Sequence, residues 1–267
     1  MGRPLEGLRV LDFTQVIAGP GTAMYLADQG ADVLKIEPPY VWDARRQPNT
    51  FSGLMLTHNR NKRSIGLDVR TPQGREIVTK LVLSADVLIA AWQPGQAERL
   101  GLGYEAMQAL NPRLVYANLT GWGYKGPHAL KRGMDLLVQA YSGIMASQPS
   151  ADGIPVATGY YPADTGVPMY LSYGIMLALW QREQTGLGQK VETTQLQAHL
   201  AAQAIHMVLT EAGPLDQPMR GWRRPPLTFR TQDNRYLVFV GVQELAVWGT
   251  VWQVLDLGEF PNDPGLG

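Results

Sequence analysis

The residue that matters most for the chemistry of this chain is Asp164, in the run Tyr160–Gly166 (YYPADTG). It stands at the predicted start of a long apolar helix. A carboxylate there can cap the helix, which typically stabilises it by ~1 kcal/mol. It can also act as a nucleophile, and free amides at a helix N-terminus can stabilise a developing oxyanion. Local sequence alone favours the cap, and the two roles can coexist.

A second candidate group is the cationic segment Asn59–Ser64 (NRNKRS), which leads into a predicted short strand over 65–68. Such a segment is more often a solvated charge cluster than a site. Its guanidinium and ammonium groups also suit phosphate oxygens. Four other cations would extend a phosphate site only if the fold brings them together: Arg70, Arg99, Lys131 and Arg132.

The turn Gly19-Pro20-Gly21 follows a predicted strand and precedes a predicted helix, as in dinucleotide-binding proteins. That fingerprint needs a third glycine for close helix–strand packing, and Met24 occupies the position. Glu37 is the acidic residue at the expected distance. The sequence therefore favours a βαβ turn without a nucleotide over a nicotinamide site.

The other titratable residues give weaker signals. Asp135 is the rival acid to Asp164, and its apolar neighbours predict a paired structural carboxylate. The sequence contains neither a serine nucleophile elbow nor a phosphate-binding P-loop. No metal site is predicted, because the four histidines lack the spacing of metal ligands: His58, His128, His199 and His206.

Composition limits the function classes. The 267 residues carry a formal net charge of zero, with 45% hydrophobic and 17% charged residues, as in a globular protein with a core. Nothing in that balance favours nucleic acid or an anionic membrane as a partner. With no cysteine, thiol nucleophiles and disulfides are excluded. The N-terminus lacks a signal-peptide pattern and no stretch predicts a membrane span, so we expect a cytoplasmic protein.

Strand-like and helix-like patterns alternate over the first 120 residues. Predicted strands over 8–13, 32–36, 86–90 and 114–119 are separated by segments of helical length. This order predicts an α/β fold with a Rossmann-like, doubly wound parallel sheet. Beyond residue 134 the pattern becomes mostly helical, with Tyr170, Tyr173, Leu177 and Trp180 on one apolar helix face.

We expect three parts along the chain. A large domain spans residues 1–212, a linker rich in Pro and Arg spans 213–226, and an incomplete small domain spans 227–267. The last part is predicted to hold one strand over 236–240 and one helix over 244–257. One strand and one helix cannot bury a core of their own, so only the start of a small second domain is predicted.

Taken together, the chain resembles the family III CoA-transferases, which include formyl-CoA transferase and the carnitine and bile-acid CoA-transferases. The resemblance covers most of residues 4–192 in the family's order and continues weakly through 228–231. It rests on these segments: Pro4–Thr14 (PLEGLRVLDFT), Ala18–Pro20 (AGP), Gly30–Glu37 (GADVLKIE), Asn61–Ile65 (NKRSI), Leu110–Arg113 (LNPR), Val138–Gly143 (VQAYSG) and Thr185–Val191 (TGLGQKV).

The resemblance implies that Asp164 is a nucleophile that forms an acyl anhydride, with a CoA thioester as substrate and no permanently bound cofactor. It also implies a set of CoA-binding residues: Gln15, Ile17, Ala18, Leu67, Arg70, Trp92, Arg99 and Arg132. Pro38 stands where some members carry Arg, and Ala91 where some carry Asn. The resemblance therefore does not extend to those two contacts.

Other functions stay open at this point. Related α-methylacyl-CoA racemases carry a histidine before the Asp135 position, and this chain has Met134, which cannot exchange a proton. A CoA-binding remnant without activity is the second alternative, and a nicotinamide-dependent oxidoreductase is the third. The resemblance implies an acyl-CoA and a small carboxylic acid as partners. It also implies an interlocked homodimer, for which the chain is short, so we expect either a fragment or a natural short form.

Overall fold

The computed structural model describes residues 2–39, 52–147, 150, 152–204, 209–210, 213–214, 227–239, 250 and 252–254. The chain divides into two compact units, Met1–Gln203 and Ala204–Gly267. The predicted boundaries at residues 212 and 226 stay predictions.

Unit one is built on a parallel sheet of six strands in the order β3-β2-β1-β4-β5-β6. The strands are β1 (Arg9–Asp12), β2 (Asp32–Glu37), β3 (Lys62–Gly66), β4 (Val87–Ala90), β5 (Val115–Thr120) and β6 (Lys190–Thr194). This confirms the predicted doubly wound α/β fold. The strand order reverses between β1 and β4, and ligands of such sheets bind beyond the carboxyl ends of the strands at that point.

Helices cover both faces of the sheet. They are α1 (Ala18–Asp28), α2 (Ser52–His58), α3 (Pro72–Val82), α4 (Gln96–Arg99), α5 (Tyr104–Leu110), α6 (Asp135–Ser142), α7 (Pro162–Thr185) and α8 (Gln195–Ala202), and a 3₁₀ turn follows α6 at Ile144–Ser147. One core lies between the sheet and α1, α7 and α8. The other lies between the sheet and α3, α4 and α5. Among the helices of the described ranges, none is long and apolar enough to cross a membrane.

Helix α7 packs closely on α1. A Cβ added to Gly21 in α1 would lie 2.9 Å from Cγ of Pro168 in α7, so a glycine permits this approach. The buried side of α7 carries Val167, Leu171 and Ile175. The apolar face predicted over Tyr170–Trp180 is not the buried one, because Tyr173 and Trp180 are 66% and 70% exposed. The helix turns its smaller aliphatic residues to the sheet, where they fit between α1 and α8.

Within unit two the structure describes two short antiparallel pairs. The first joins β7 (Leu209–Thr210) to β8 (Gly213–Pro214), which includes the first two residues of the predicted linker. The second joins β9 (Leu227–Arg230) to β10 (Tyr236–Phe239), in agreement with the strand predicted at 236–240. Most of the helix predicted over 244–257 lies outside the described residues.

Candidate active site

A cavity of about 270 Å³ opens at the carboxyl edge of the sheet, beside the point where the strand order reverses. It brings together five of the eight residues predicted to bind CoA: Gln15, Leu67, Arg70, Trp92 and Arg99. Their loops follow different strands, and the parallel sheet places those loops side by side. Phe13, Ile36, Pro38, Val69, Gln96 and Leu100 complete the lining.

The other three predicted contacts lie elsewhere. Ile17 and Ala18 are buried where α1 begins, at 5% and 6% exposure, so they pack into the core beneath the loop that carries Gln15. Arg132 is exposed on the loop that follows β5, where its carbonyl accepts a hydrogen bond from Trp122 Nε1 at 3.1 Å. The same loop contacts Gln93, which follows the cavity residue Trp92: Gln93 Nε2 donates to the Leu130 carbonyl at 3.3 Å.

A buried charge cluster holds the loop before α1. Asp12 is fully buried, and its Oδ2 accepts from Lys62 Nζ at 2.9 Å and faces Lys35 Nζ at 3.7 Å. Its Oδ1 accepts from the backbone N of Thr14 at 2.9 Å, and Lys35 Nζ donates to the Thr14 carbonyl at 2.6 Å. The neighbouring Lys35 and Lys62 keep the pKa of Asp12 below its ordinary value although burial opposes them. The cluster therefore fixes the backbone one residue before Gln15.

In the structure the cationic segment is an ion-paired charge cluster, which favours that interpretation over phosphate contact. Lys62 points inward to Asp12 and also donates to the Pro20 carbonyl at 2.8 Å. Arg60 pairs with Asp28 on the surface, and Arg63 pairs with Asp32 at 2.7 Å. Each cation of the segment is thus engaged by a neighbouring carboxylate, which the sequence could not show because the partners lie 31 to 50 residues away.

Asp164 lies in the first turn of α7, at the third helical residue, and is mostly buried. The residue in the cap position is Tyr161, which makes no side-chain cap hydrogen bond. The capping role that local sequence favours for Asp164 is therefore wrong. Pro162 at the first helical position carried the missing signal, because proline is favoured there and places Asp164 two residues inside the helix.

The cap of α7 comes instead from Asp135, at the start of α6. Oδ2 of this buried carboxylate accepts from the amides of Ala163 at 2.8 Å and Asp164 at 3.0 Å. Its Oδ1 accepts from Gln139 Nε2 at 2.5 Å, and Gln139 Oε1 accepts from the Thr158 amide at 2.9 Å. The expected structural role of Asp135 is confirmed. The sequence suggested that amides at the start of α7 could hold an oxyanion. The amides of Ala163 and Asp164 are not free to do so, because they already donate to Asp135.

We predict that Asp135→Ala lowers the free energy of unfolding by about 1–3 kcal/mol, because the amides of Ala163 and Asp164 lose their acceptor. Urea denaturation measures the change. Asp135→Asn keeps an acceptor oxygen and should recover part of the loss. The same alanine substitution at exposed Asp152 is the control. Equal unfolding midpoints for the Asp135→Ala and Asp152→Ala variants would show that the cap does not support α7.

The Asp164 carboxyl has one hydrogen-bond donor in the described part of the chain. Gln195 Nε2, at the start of α8, donates to Asp164 Oδ1 at 2.6 Å. Burial raises the pKa of Asp164 to about 6; the Gln195 hydrogen bond lowers it and the nearby charge of Asp135 raises it. The group is thus mainly ionised above pH 6 yet poorly hydrated, which suits a nucleophile or a general base. Sequence reasoning missed Gln195, because only the β6–α8 junction brings it to Asp164.

The described histidines do not form a metal site. No group of three or more His, Asp or Glu side chains in the described ranges could hold a metal ion. His58 Nδ1 lies 3.1 Å from the Leu54 carbonyl, and the His128 ring makes a tilted contact with Trp122 and an edge-to-face contact with Tyr141. His199 is fully buried in α8, and His206 lies outside the described residues.

Comparison with known proteins gives consistent matches. Residues 5–267 match the model of a family described as CoA-transferase family III. Succinyl-CoA:glutarate CoA-transferase of Mus musculus is 34% identical over 98% of this chain. Formyl-CoA:oxalate CoA-transferase of a Bradyrhizobium strain is 40% identical over 72% of it. The chain spans 62% of the first relative's length and 46% of the second's.

Solved structures agree with the sequence matches. A CaiB/BaiF family protein from Brucella suis superimposes with a TM-score of 0.82 at 32% identity, covering 99% of this chain and 72% of that protein. A Mycobacterium tuberculosis protein superimposes with a TM-score of 0.80 at 33% identity, covering 96% of this chain and 69% of that one. The similarity therefore includes both sequence and fold.

Proposed function

The chain belongs to CoA-transferase family III, and on that premise we propose that it moves CoA from an acyl-CoA donor to a carboxylic acid, with Asp164 as the nucleophile. The ionised carboxylate attacks the thioester carbonyl, the C–S bond breaks and CoA leaves as thiolate. The acceptor carboxylate then displaces the donor acid from the resulting anhydride. Attack of the thiolate on the acceptor carbonyl forms the new thioester and frees Asp164.

The observation that carries the proposal is the state of the Asp164 carboxyl. It is mostly buried, and one of its oxygens accepts a hydrogen bond from Gln195. It is not needed to cap α7, because Asp135 provides that cap. With a pKa of about 6 it is ionised at neutral pH, as a nucleophile requires, while burial limits its hydration. Met134, beside Asp135, is 58% exposed and offers no second base, which disfavours racemisation.

We assign the cavity beside the strand reversal to CoA. Trp92 and Leu67 provide apolar surface for the nucleotide, and Arg99 and Arg70 provide cations for its phosphates. Arg70 now forms an ion pair with Asp68 at 2.9 Å, which a phosphate would have to displace. Arg132, on the loop near Gln93, is the third cation that the proposal assigns to phosphate.

We expect CoA to raise the melting temperature of the chain, and Arg99→Ala to weaken CoA binding about 10-fold, through the loss of a charge-assisted contact. Isothermal titration calorimetry with CoA measures the dissociation constant. Arg99 is exposed, so its removal should leave the apo protein equally stable. Arg75→Ala, an exposed position outside the cavity lining, is the matched control. Equal affinities in both variants would remove Arg99 from the CoA site.

The names of the relatives point to the acceptor class. They pair succinyl-CoA with glutarate and formyl-CoA with oxalate, and both glutarate and oxalate are carboxylates. We accordingly propose a carboxylic acid acceptor for this chain. The test is incubation with a panel of short acyl-CoA donors and isotopically labelled acids, with detection of labelled acyl-CoA. Binding of CoA without formation of any labelled thioester would favour an inactive CoA-binding chain.

From the same family membership we propose that the chain assembles as a homodimer. The outward face of α7 exposes Met169, Tyr173 and Trp180 at 65%, 66% and 70%, which is a large apolar area for a free surface. Light scattering after size exclusion gives the mass in solution. A monomer at all concentrations would exclude the dimer.

A further inference from the structure

Gln195 carries a buried polar atom that has no hydrogen-bond partner among the described residues. Its side chain is 6% exposed, and its Oε1 accepts no hydrogen bond from the described residues. An unpaired buried oxygen is unfavourable, and an apolar side chain of the same length would avoid it. The other end of the amide, Nε2, donates to Asp164 Oδ1 at 2.6 Å. The feature that glutamine supplies here, and an apolar residue cannot, is this donor.

Two glycines make room for the Gln195 amide. A Cβ on Gly133 would lie 2.5 Å from Gln195 Oε1, and one on Gly121 would lie 3.3 Å from it. The glycines also touch each other, since a Cβ on Gly121 would lie 2.3 Å from Cα of Gly133. The two ends of the loop between β5 and α6 therefore meet closely around this one side chain. A side chain at either glycine position would reduce the space that the Gln195 amide occupies.

Gln195 also provides a hydrogen-bond donor to Asp164 that the backbone amides at the start of α7 cannot provide. The amides of Ala163 and Asp164 are engaged by Asp135, at 2.8 and 3.0 Å. Oδ2 of Asp164 accepts no hydrogen bond from the part of the chain that the structure describes, whereas Oδ1 is held by Gln195. The two oxygens of the carboxylate are thus made different: one is fixed and the other is open.

Resting on the proposed function, we infer that Gln195 is a catalytic residue that holds Asp164 Oδ1 as the carbonyl oxygen and leaves Oδ2 to attack the thioester. Oδ2 bonds to the thioester carbon, the C–S bond breaks and CoA thiolate departs. In the anhydride, Oδ1 is the aspartyl carbonyl oxygen. When the acceptor carboxylate adds to the Asp164 carbonyl carbon, the electron pair moves onto Oδ1, where the Gln195 amide stabilises it. Collapse returns that pair and expels the donor carboxylate.

Among the polar and charged groups near Asp164, the Gln195 amide is the main one that favours the ionised carboxylate. Helix α7 packs against α1, α6, α8, β5 and β6. Of these, α6 presents Asp135, which disfavours ionisation of Asp164, and α8 presents His199, whose charge partner is Asp135. The remaining titratable residues of those elements have other partners or are exposed: Asp28 binds Arg60, Tyr116 donates to the Leu102 carbonyl, Tyr141 contacts Trp122 and His128, Lys190 pairs with Glu192, and Tyr25 is exposed on α1.

The first test is the titration of Asp164 in the intact chain, followed by NMR of ¹³C-carboxyl-labelled aspartate and assigned by difference with Asp164→Asn. Gln195→Met removes the donor to the ionised form, so Asp164 should titrate at a clearly higher pH than in the parent. Gln197→Met, on the exposed side of the same helix, should leave the titration unchanged. Gln195→Asn, too short to reach Asp164, should behave as Gln195→Met and provides a second variant. An unchanged titration in both Gln195 variants would overturn the inference.

The second test is the rate of CoA release on mixing with a donor acyl-CoA. The chain has no cysteine, so a thiol reagent reports CoA alone. Gln195→Met should slow release several-fold at pH 7, because less of the Asp164 carboxyl is ionised there, and shift the pH–rate profile upward, with little change in CoA affinity. Transfer to a labelled acceptor acid, whose addition places the electron pair on Oδ1, should fall further, about 10- to 100-fold. Equal rates in Gln195→Met and the parent would refute the catalytic role. If the parent itself released no CoA, the proposed function would fail, while the titration would still decide whether Gln195 holds Asp164.

Discussion

Asp164→Asn is expected to reduce CoA transfer by at least about 10³-fold while making the folded chain more stable at pH 8. The amide nitrogen is a poor nucleophile and the anhydride cannot form, and losses of this size are typical when a nucleophile is removed. The amide keeps the shape of the buried carboxyl. CoA affinity should therefore change little, and a labelled-acid exchange assay together with calorimetry separates the two effects.

The gain in stability follows from the raised pKa of Asp164. Burial takes it from an ordinary 3.8 to about 6. Between these values the folded chain holds a proton that the unfolded chain has lost, so the contribution of this group is fully present below about pH 4 and is lost as the pH rises through 6. At pH 8 ionisation costs the fold about 2–3 kcal/mol, which an uncharged amide avoids.

Urea unfolding at pH 4 and pH 8 measures this effect. The stability gap between Asp164→Asn and the parent should be about 2 kcal/mol at pH 8 and should close near pH 4. Exposed Asp152→Asn serves as the control and should show no gap at either pH. A variant that retained transfer, or one that was less stable than the parent at pH 8, would contradict the role assigned to Asp164.

Asp12→Asn is expected to lower the free energy of unfolding by about 3–5 kcal/mol, because it removes the buried carboxylate that lies between two buried ammonium groups. The side chains of Lys35 and Lys62 are each 2% exposed, and Asp12 is fully buried between them. Its carboxylate also holds the Thr14 amide, so CoA binding should weaken as the loop at Gln15 loosens. Urea unfolding and calorimetry with CoA provide the two readouts.

The matched control for Asp12 is Asp32→Asn, which removes the same charge from an exposed pair. Arg63 and Asp32 are 70% and 48% exposed, and such pairs contribute at most about 1 kcal/mol. If Asp12→Asn cost no more than Asp32→Asn, the buried cluster would not be stabilising the loop. Removing Lys62 together with Asp12 should recover part of the loss, since one of the two uncompensated charges is then gone.

Much of the sheet was predictable because β4 is apolar throughout and β5 is apolar except at Asn118 and Thr120. Segments such as Val87–Ala90 and Val115–Thr120 are buried throughout, and their composition alone identifies them. The edge strand β6 was missed, because Lys190 and Glu192 point to solvent and pair with each other. Strand β3 begins at Lys62 instead of the predicted Ile65, since its register is set by pairing with β2.

The site was predictable only in part. The resemblance pointed to Asp164 and to the cavity residues, but the local pattern assigned the cap of α7 to Asp164 when Asp135, 29 residues earlier, provides it. The sequence around Gln195 contains no pattern that predicts its contact with Asp164, because that contact depends on where β6 ends relative to the first turn of α7. Long-range partners of single polar side chains are set by tertiary packing, which residue spacing does not encode.

The most direct measurement is the intact mass of the chain after mixing with a donor acyl-CoA, with hydroxylamine added to trap any anhydride and peptide mapping of the product. We predict a hydroxamate at Asp164 that forms only with an acyl-CoA and is absent in Asp164→Asn. A transfer reaction that proceeds with no modified Asp164, or a hydroxamate at another carboxyl group, would contradict the account.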